Sequence, residues 1–346
     1  MVKWRDVIEL AEEEARKYHE TYGLPLTVRG LFYILVGKNI VPNTKNTYIE
    51  FSRHLARARY LGEFPWYLIQ DDKREISWGD LGYTVEDAQR VVEELSRLEL
   101  TPEEKERIVK EYLKSKYRVR LLQWEGQPKR VMAVVEKDTL YRPFKALLRE
   151  RLGWDVALTS TRGFESASHA HEIATWIKGL RKRGMVPVLL LFYDFDPSGE
   201  YASMRDFIFR VLLLASDEDA ERSLAAWERG DDNAKKAMIE ELSDKLGLAF
   251  EKVMLTWDQI VKYDVPPRPE AADALRKLQR DPRKQWFVER YGELYQAEVD
   301  AMLSLHPGEA IRIIDEAIRK HFDSKAYEEV KRKEEELKKK VDELLE

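Results

Sequence analysis

Between residues 130 and 196 three short apolar runs, RVMAVVEK, WDVALTST and VPVLLLFYDFD, alternate with stretches of helical periodicity. Such an order leaves few options, because a strand, a crossover helix and a second strand of the same sheet form a parallel, right-handed unit. The segment is therefore expected to be α/β, a parallel sheet with helices on its faces. EKVMLTW, from residue 251, reads as a further strand. In such a sheet all strands end at one edge, and ligands bind there.

The residues at those strand ends decide the chemistry to look for. The first run ends in Glu136 and the third in Asp194 and Asp196. Two full charges about 4 Å apart repel by roughly 4 kcal/mol at an effective dielectric of 20. Carboxylates brought together must therefore share a proton or hold a cation. An all-oxygen set favours Mg2+, with Mn2+ as a substitute. In the DPSG that follows, Pro197 stiffens the turn and Gly199 leaves room for backbone or phosphate at the next helix start. The structural alternative has Asp194 capping that helix and Glu136 pairing with Lys137 or an arginine.

The first 127 residues read as a separate, mostly helical domain with a helix-turn-helix pattern. Thr27 is expected to cap a helix over 28–37, KNIVPN to turn the chain, and Thr44 to start a helix ending near Gly62. EFPWYLIQDD reads as a short extended wing, and Thr101, Pro102 and Glu104 as the start of a later helix. On the helix over 28–37, Val28, Leu31, Phe32 and Leu35 form the apolar stripe, so Tyr33 points away from the core with Arg29 one turn before it. In the next helix Tyr48, Phe51 and Leu55 form the buried stripe, with Asn46, Arg53 and Arg57 opposite. From Thr27 to Phe64 six cations (Arg29, Lys38, Lys45, Arg53, Arg57, Arg59) face two acids, Glu50 and Glu63, although the whole chain carries a net charge of -5. Nucleic acid follows the local surface, which makes Lys45, Asn46, Arg53, Arg57 and Arg59 candidate DNA contacts.

A strand ending in Glu, then a βα unit, then a strand ending in DxD followed by a small residue, resembles the Toprim domain of topoisomerases, bacterial-type primases and some nucleases. VVEK, TSTRGF and YDFDPSG carry that likeness. Upstream, TVRGLFYILV is similar to the tyrosine motif in the winged-helix domain of the A subunit of topoisomerase VI and of the related meiotic double-strand-break proteins. The chain resembles their small, stand-alone mini-A branch, found in mobile elements and archaeal plasmids. The resemblance implies a winged-helix domain at 1–127 and a Toprim domain with a C-terminal helical extension at 128–346. It also implies Tyr33 as the nucleophile that forms a 5′-phosphotyrosyl link to DNA, assisted by Arg29. Asp194 and Asp196 would ligate magnesium, and Glu136 would complete the metal site or move a proton. A homodimer would cut both strands of double-stranded DNA. ATP-driven strand passage would need a separate GHKL-type ATPase subunit, since the chain has no Walker A sequence. Two other readings are a Toprim nuclease that uses water and a non-catalytic DNA-binding or replication protein.

Composition narrows the setting. There is no cysteine, which excludes disulfides and thiolate metal sites, and 36% of residues are charged against about 25% in an ordinary domain. That balance suits an intracellular protein from a hot environment. No apolar run reaches the roughly 18 residues of a membrane span, so a cytoplasmic location on nucleoid or plasmid DNA is expected. His169 and His171 are two apart and would face different sides of a helix, which argues against a shared metal. The tail from Ser324, with Val330, Leu337, Val341 and Leu344, is expected to be a solvated helix docked on one edge.

Overall fold

The computed structural model describes residues 3–22, 26, 28–42, 44–69, 84–97, 119–161, 167–197, 199–216, 220–267, 282–292 and 295–345. Its N-terminal part contains α1 (Trp4–Tyr22), α2 (Val28–Gly37), α3 (Lys45–Tyr60) and α4 (Val85–Ser96). Leu31, Phe32, Leu35, Phe51 and Leu55 pack with Val7 and Ala11 of α1 in one core, so both expected apolar stripes face inward. The Thr44 side chain accepts the Thr47 N–H at 3.2 Å and caps α3, which relieves one of the orphan donors of the first turn. Among the described residues of the expected wing Pro65 and Ile69 have extended backbone, and Ile69 bridges Leu26 in parallel. Trp66–Leu68 before it form a single 3₁₀ turn, because the Ile69 N–H closes back on the Trp66 carbonyl. The Thr27 cap, residues 70–83 and the helix start at Thr101 lie outside the described residues.

Downstream come β1 (Lys129–Val135), α5 (Asp138–Ala146), β2 (Ala157–Ser160), α6 (Ala167–Lys182), β3 (Val186–Phe192), α7 (Met204–Ala215), α8 (Ala220–Arg229) and α9 (Asp232–Leu246). They are followed by β4 (Ala249–Met254), α10 (Trp257–Tyr263), α11 (Pro282–Tyr291), α12 (Val299–Leu305), α13 (Pro307–Arg319) and α14 (Ser324–Leu345). The four strands form one all-parallel sheet in the order β2-β1-β3-β4. Alternation along the central strands sorts their side chains into two layers. Val131, Ala133, Val135, Leu190 and Phe192 face Phe144 of α5 and Ile314 and Ile318 of α13. Met132, Val134, Leu189 and Leu191 face Ile173 and Ile177 of α6 and Phe207 and Val211 of α7. Both faces are thus covered, which is why these strands read as unbroken apolar runs.

The C-terminal helix α14 docks as a solvated helix through one stripe. Val330, Leu337 and Val341 pack with Ala88 and Leu95 of α4 and with Val119 and Leu121. Two hydrogen bonds between Gln127 and the Asp323 backbone, at 2.8 and 2.7 Å, fix its start. Segments on the two sides of residue 127 therefore share a core. Among the described residues no helix is long and apolar enough to cross a membrane.

Candidate functional site: an acidic edge of the sheet

β1 and β3 are neighbours in register, with Val135 opposite Phe192, so Glu136 and Asp194 leave the sheet side by side. The Glu136 carboxylate accepts the Asp194 N–H at 2.8 Å, and Asp196 Oδ1 accepts the Gly199 N–H at 2.6 Å. Gly199 closes the group. A Cβ built there would sit 2.8 Å from the Asp194 carbonyl oxygen and 3.4 Å from both Asp196 Oδ1 and Glu136 Oε2. The three carboxylates named by sequence are therefore gathered at one place, and a missing side chain is what allows it.

Burial, and then the charges of Asp194 and Asp196, push the Glu136 carboxyl up to about 7. Burial also raises the Asp194 pKa, against its hydrogen bond to Lys137. From sequence Lys137 is expected only as a possible partner of Glu136. In the fold it turns instead to Asp194 Oδ2 at 2.6 Å and Glu298 at 2.5 Å, with Asp300 at 3.9 Å. Although burial disfavours this ammonium, those two hydrogen bonds hold it above the usual lysine range. The other Asp194 oxygen accepts the Val299 N–H at 2.9 Å. Asp194, expected as a metal ligand, thus has both oxygens engaged within the chain.

Among the described residues no group of three or more His, Asp or Glu side chains is spaced to hold a metal ion. Magnesium does not require three, since one or two carboxylates plus water and substrate phosphates are its usual set. Glu136 and Asp196 fit that description. Burial holds the Glu136 carboxyl above its ordinary range, and the lack of a side chain at Gly199 lets Glu136 and Asp196 approach the same turn.

Two further residues, the buried Glu200 and the partly buried Lys252, belong to the edge and carry no signal in the sequence. Lys252 of β4 forms an ion pair with Glu200, whose other oxygen accepts the Tyr291 hydroxyl at 3.0 Å. A lone lysine in a strand and a glutamate past a DPSG turn carry no spacing signal. Only the pairing of β4 beside β3 brings them to the acids.

The remaining candidates divide. Arg29 and Tyr33 lie one turn apart on α2, and Lys45 opens α3, while the side chains of these three lie outside the described residues. Asn46 and Arg53 are exposed, with Arg53 paired to Glu50 at 2.5 Å. Arg57 faces Glu221 and Glu228 of α8 at 3.9 and 3.6 Å. Arg59 departs from expectation. It is 2% exposed, donates to Ser168 Oγ at 2.7 Å and the Ile69 carbonyl at 3.3 Å, and lies 4.5 Å over the Trp66 ring. The cationic pattern of the helix does not reveal this, because α6 and Trp66 close over Arg59. Arg59 joins the helical part to α6 and is not on a surface a duplex can reach. Arg59→Ala is expected to cost on the order of 3 kcal/mol in urea unfolding, the scale of lost hydrogen bonds to a buried charge. Arg53→Ala should stay within about 0.5 kcal/mol of wild type, and equal losses in the two would remove this assignment.

His169 and His171 separate as expected. His169 Nε2 meets Thr159 Oγ1 at 2.8 Å, whereas His171 stacks on Trp66 at 3.9 Å. No protein-family model matches the sequence, and no curated protein is detectably similar to it.

Proposed function

We propose that the chain cuts duplex DNA by transesterification at Tyr33, in the manner of the cleavage subunit of a type IIB topoisomerase. The observation that carries this reading is the approach of Glu136, from the end of β1, to the Asp194–Asp196 turn beyond β3, around a glycine with no room for a side chain. The order β2-β1-β3-β4 and the placing of Arg29 and Tyr33 on a short helix of a separate core suit a Toprim domain following a winged helix.

In this mechanism the phenol oxygen of Tyr33 attacks a DNA phosphorus. A tyrosyl O–P bond forms as the bond to the 3′-oxygen breaks, the phenol proton passes to solvent, and the 3′-oxygen takes one up. At pH 7 about one phenol in a thousand is ionised, a deficit of roughly 4 kcal/mol. The Arg29 guanidinium offsets part of it by pairing with the attacked phosphate. Glu136 and Asp196 would hold a divalent ion, which supplies Lewis acidity at a phosphate oxygen and at the leaving oxygen. Lys137 keeps Asp194 in place, so that the turn carrying Asp196 is fixed relative to β1. Two chains about a dyad would cut both strands, and ATP-driven strand passage would fall to a separate ATPase subunit.

Supercoiled DNA incubated with magnesium and separated under denaturing conditions, with and without proteinase, is expected to give linear products with protein at their 5′ ends. Tyr33→Phe should reduce this adduct by roughly 1,000-fold or more, and Asp196→Ala should remove both adduct and cutting. Undiminished, adduct-free cutting by Tyr33→Phe would favour a nuclease using water, since the acidic edge needs no residue of α2 to hold its shape. No nicking by any form would leave a non-catalytic DNA-binding protein.

A further inference from the structure

A cavity of about 850 Å³ lies between α3 of the helical part and α7 and α8, which cover the sheet. Sites for small ligands favour such junctions between packed units. Its wall carries four guanidinium groups, those of Arg53, Arg57, Arg59 and Arg210, and one carboxylate, Glu228. His54 also lines it, but burial holds that imidazole below its usual range, so it adds no charge at neutral pH. The four cations differ in how firmly they are held. Arg59 is buried on Ser168 and Trp66, and Arg210 donates to Asp206 at 2.7 Å and to the Tyr60 hydroxyl at 3.2 Å. Arg53 is paired with Glu50 in open solvent, the two side chains being 69% and 41% exposed.

Arg57 is held most loosely. It stands 3.6 Å from Glu228 and 3.9 Å from Glu221, beyond the roughly 2.7–2.9 Å of a charge-assisted hydrogen bond. Those two glutamates lie two turns apart on α8, so they share a face, and their side chains are 64% and 75% exposed. Ion pairs this long and this wet contribute little. Counted with Glu50, Asp206 and Glu221, which pair with the cations of the wall, four carboxylates offset the four guanidinium groups. The resting cleft thus offers an anion no net charge, and gains one only when carboxylates swing out into water. Those on α8 do so at least cost. We infer that this cleft binds a phosphate group through Arg57, with Arg53 one turn before it on the same side of α3, and that Glu221 and Glu228 occupy Arg57 until the phosphate displaces them. A guanidinium suits that group because its two parallel N–H donors match a pair of phosphate oxygens. The phosphate belongs either to a DNA backbone or to a small molecule. Neither Tyr33 nor the acidic edge is needed for it.

The test uses the full chain with a chelator present and two probes, inorganic phosphate followed by calorimetry and a short fluorescent DNA duplex followed by anisotropy. Replacing both Glu221 and Glu228 by glutamine is expected to tighten binding about tenfold, and Arg57→Gln to weaken it about tenfold. The decisive form combines all three changes. Its glutamines should bring no gain, because the guanidinium they release is gone. A general effect of lost negative charge predicts the same gain with or without Arg57, and also in Glu336→Gln with Glu343→Gln, an equal loss at two exposed positions of α14. Dependence on Arg57 with both probes supports a site for small phosphates, and with the duplex alone a site for the DNA backbone. A gain that survives the loss of Arg57, or no gain with either probe, would overturn the inference. Should Arg57→Gln fail to fold, the comparison of the α8 pair with the α14 pair decides, equal gains overturning it. Failure of cleavage with this pattern intact would remove only the proposed cleavage, whereas a normal DNA adduct without the pattern would remove only this site.

Discussion

Gly199→Ala is expected to weaken Mn2+ binding at the acidic edge by about 100-fold, at the upper end of what loss of a supporting contact costs a metal site. It should also destabilise the fold by roughly 1–3 kcal/mol, the usual cost of overpacking. The backbone at Gly199 is not in the left-handed region, so the penalty is one of contact alone. The nearest obstacle is the Asp194 carbonyl oxygen at 2.8 Å, a backbone atom that cannot rotate aside. Relief must come from the turn itself, which carries Asp196 and, through the Asp194 N–H, the hydrogen bond to Glu136. Gly179→Ala is the matched control. It lies within α6 with nothing near its would-be Cβ, so it should stabilise by up to about 1 kcal/mol. Thermal unfolding and manganese titration of both variants check the pair. An alanine at 199 that binds manganese normally would mean that the carboxylates do not depend on this packing.

Glu136→Gln is expected to make the metal-free protein more stable at pH 8 and to leave it unchanged near pH 4.5. In the fold Glu136 keeps its proton up to about 7, whereas its ordinary value is 4.5. Between those values the native state binds the extra proton, so rising pH destabilises it. The favourable contribution is complete below 4.5 and lost as pH passes 7. The gap between variant and wild type should open by about 1.4 kcal/mol per pH unit, to roughly 3 kcal/mol. His171 acts with the opposite sign. Burial, aided by the charges of Arg59 and Lys178, lowers it to about 4, so its contribution rises with pH over part of the same range. Lys252, lowered to about 7, changes stability only above that pH. For this reason the quantity to measure is the difference between the two proteins, in urea with a chelator present. Magnesium should reverse the order, since an ion held by the carboxylate binds only the native state. A gap that does not vary with pH would show that Glu136 titrates normally.

Much of the fold is legible in the sequence because its signals are local. The apolar runs that became β1, β2 and β3, the Thr44 cap and the stripes of α2 and α3 each depend on residues within one or two turns of one another. The acids of the edge are legible for a related reason. They stand at the ends of apolar runs, where a parallel sheet brings neighbouring strands together. What does not show is everything decided by tertiary partners. Whether Lys137 turns to Glu136 or to Asp194 depends on Glu298, more than 150 residues away in the chain. Lys252 and Glu200 meet only because β4 lies beside β3. Arg59 follows the cationic pattern of its helix and yet is buried, because α6 closes over that turn. Sequence reading places charges on elements well, but it does not say which of them face solvent once two cores are docked.

The contact made by Arg59, Trp66 and His171 has a mechanical meaning. A guanidinium, an indole and an imidazole from α3, the 3₁₀ turn and α6 are layered in one continuous pile, with a serine of α6 pinning its first member. Sliding the helical part over the sheet would unstack all of them at once. The helix with Tyr33 and the strands with the acids should then travel as one rigid piece, so that the proposed cleavage, if it is ever to open a gap, needs that gap to form between two copies of the chain.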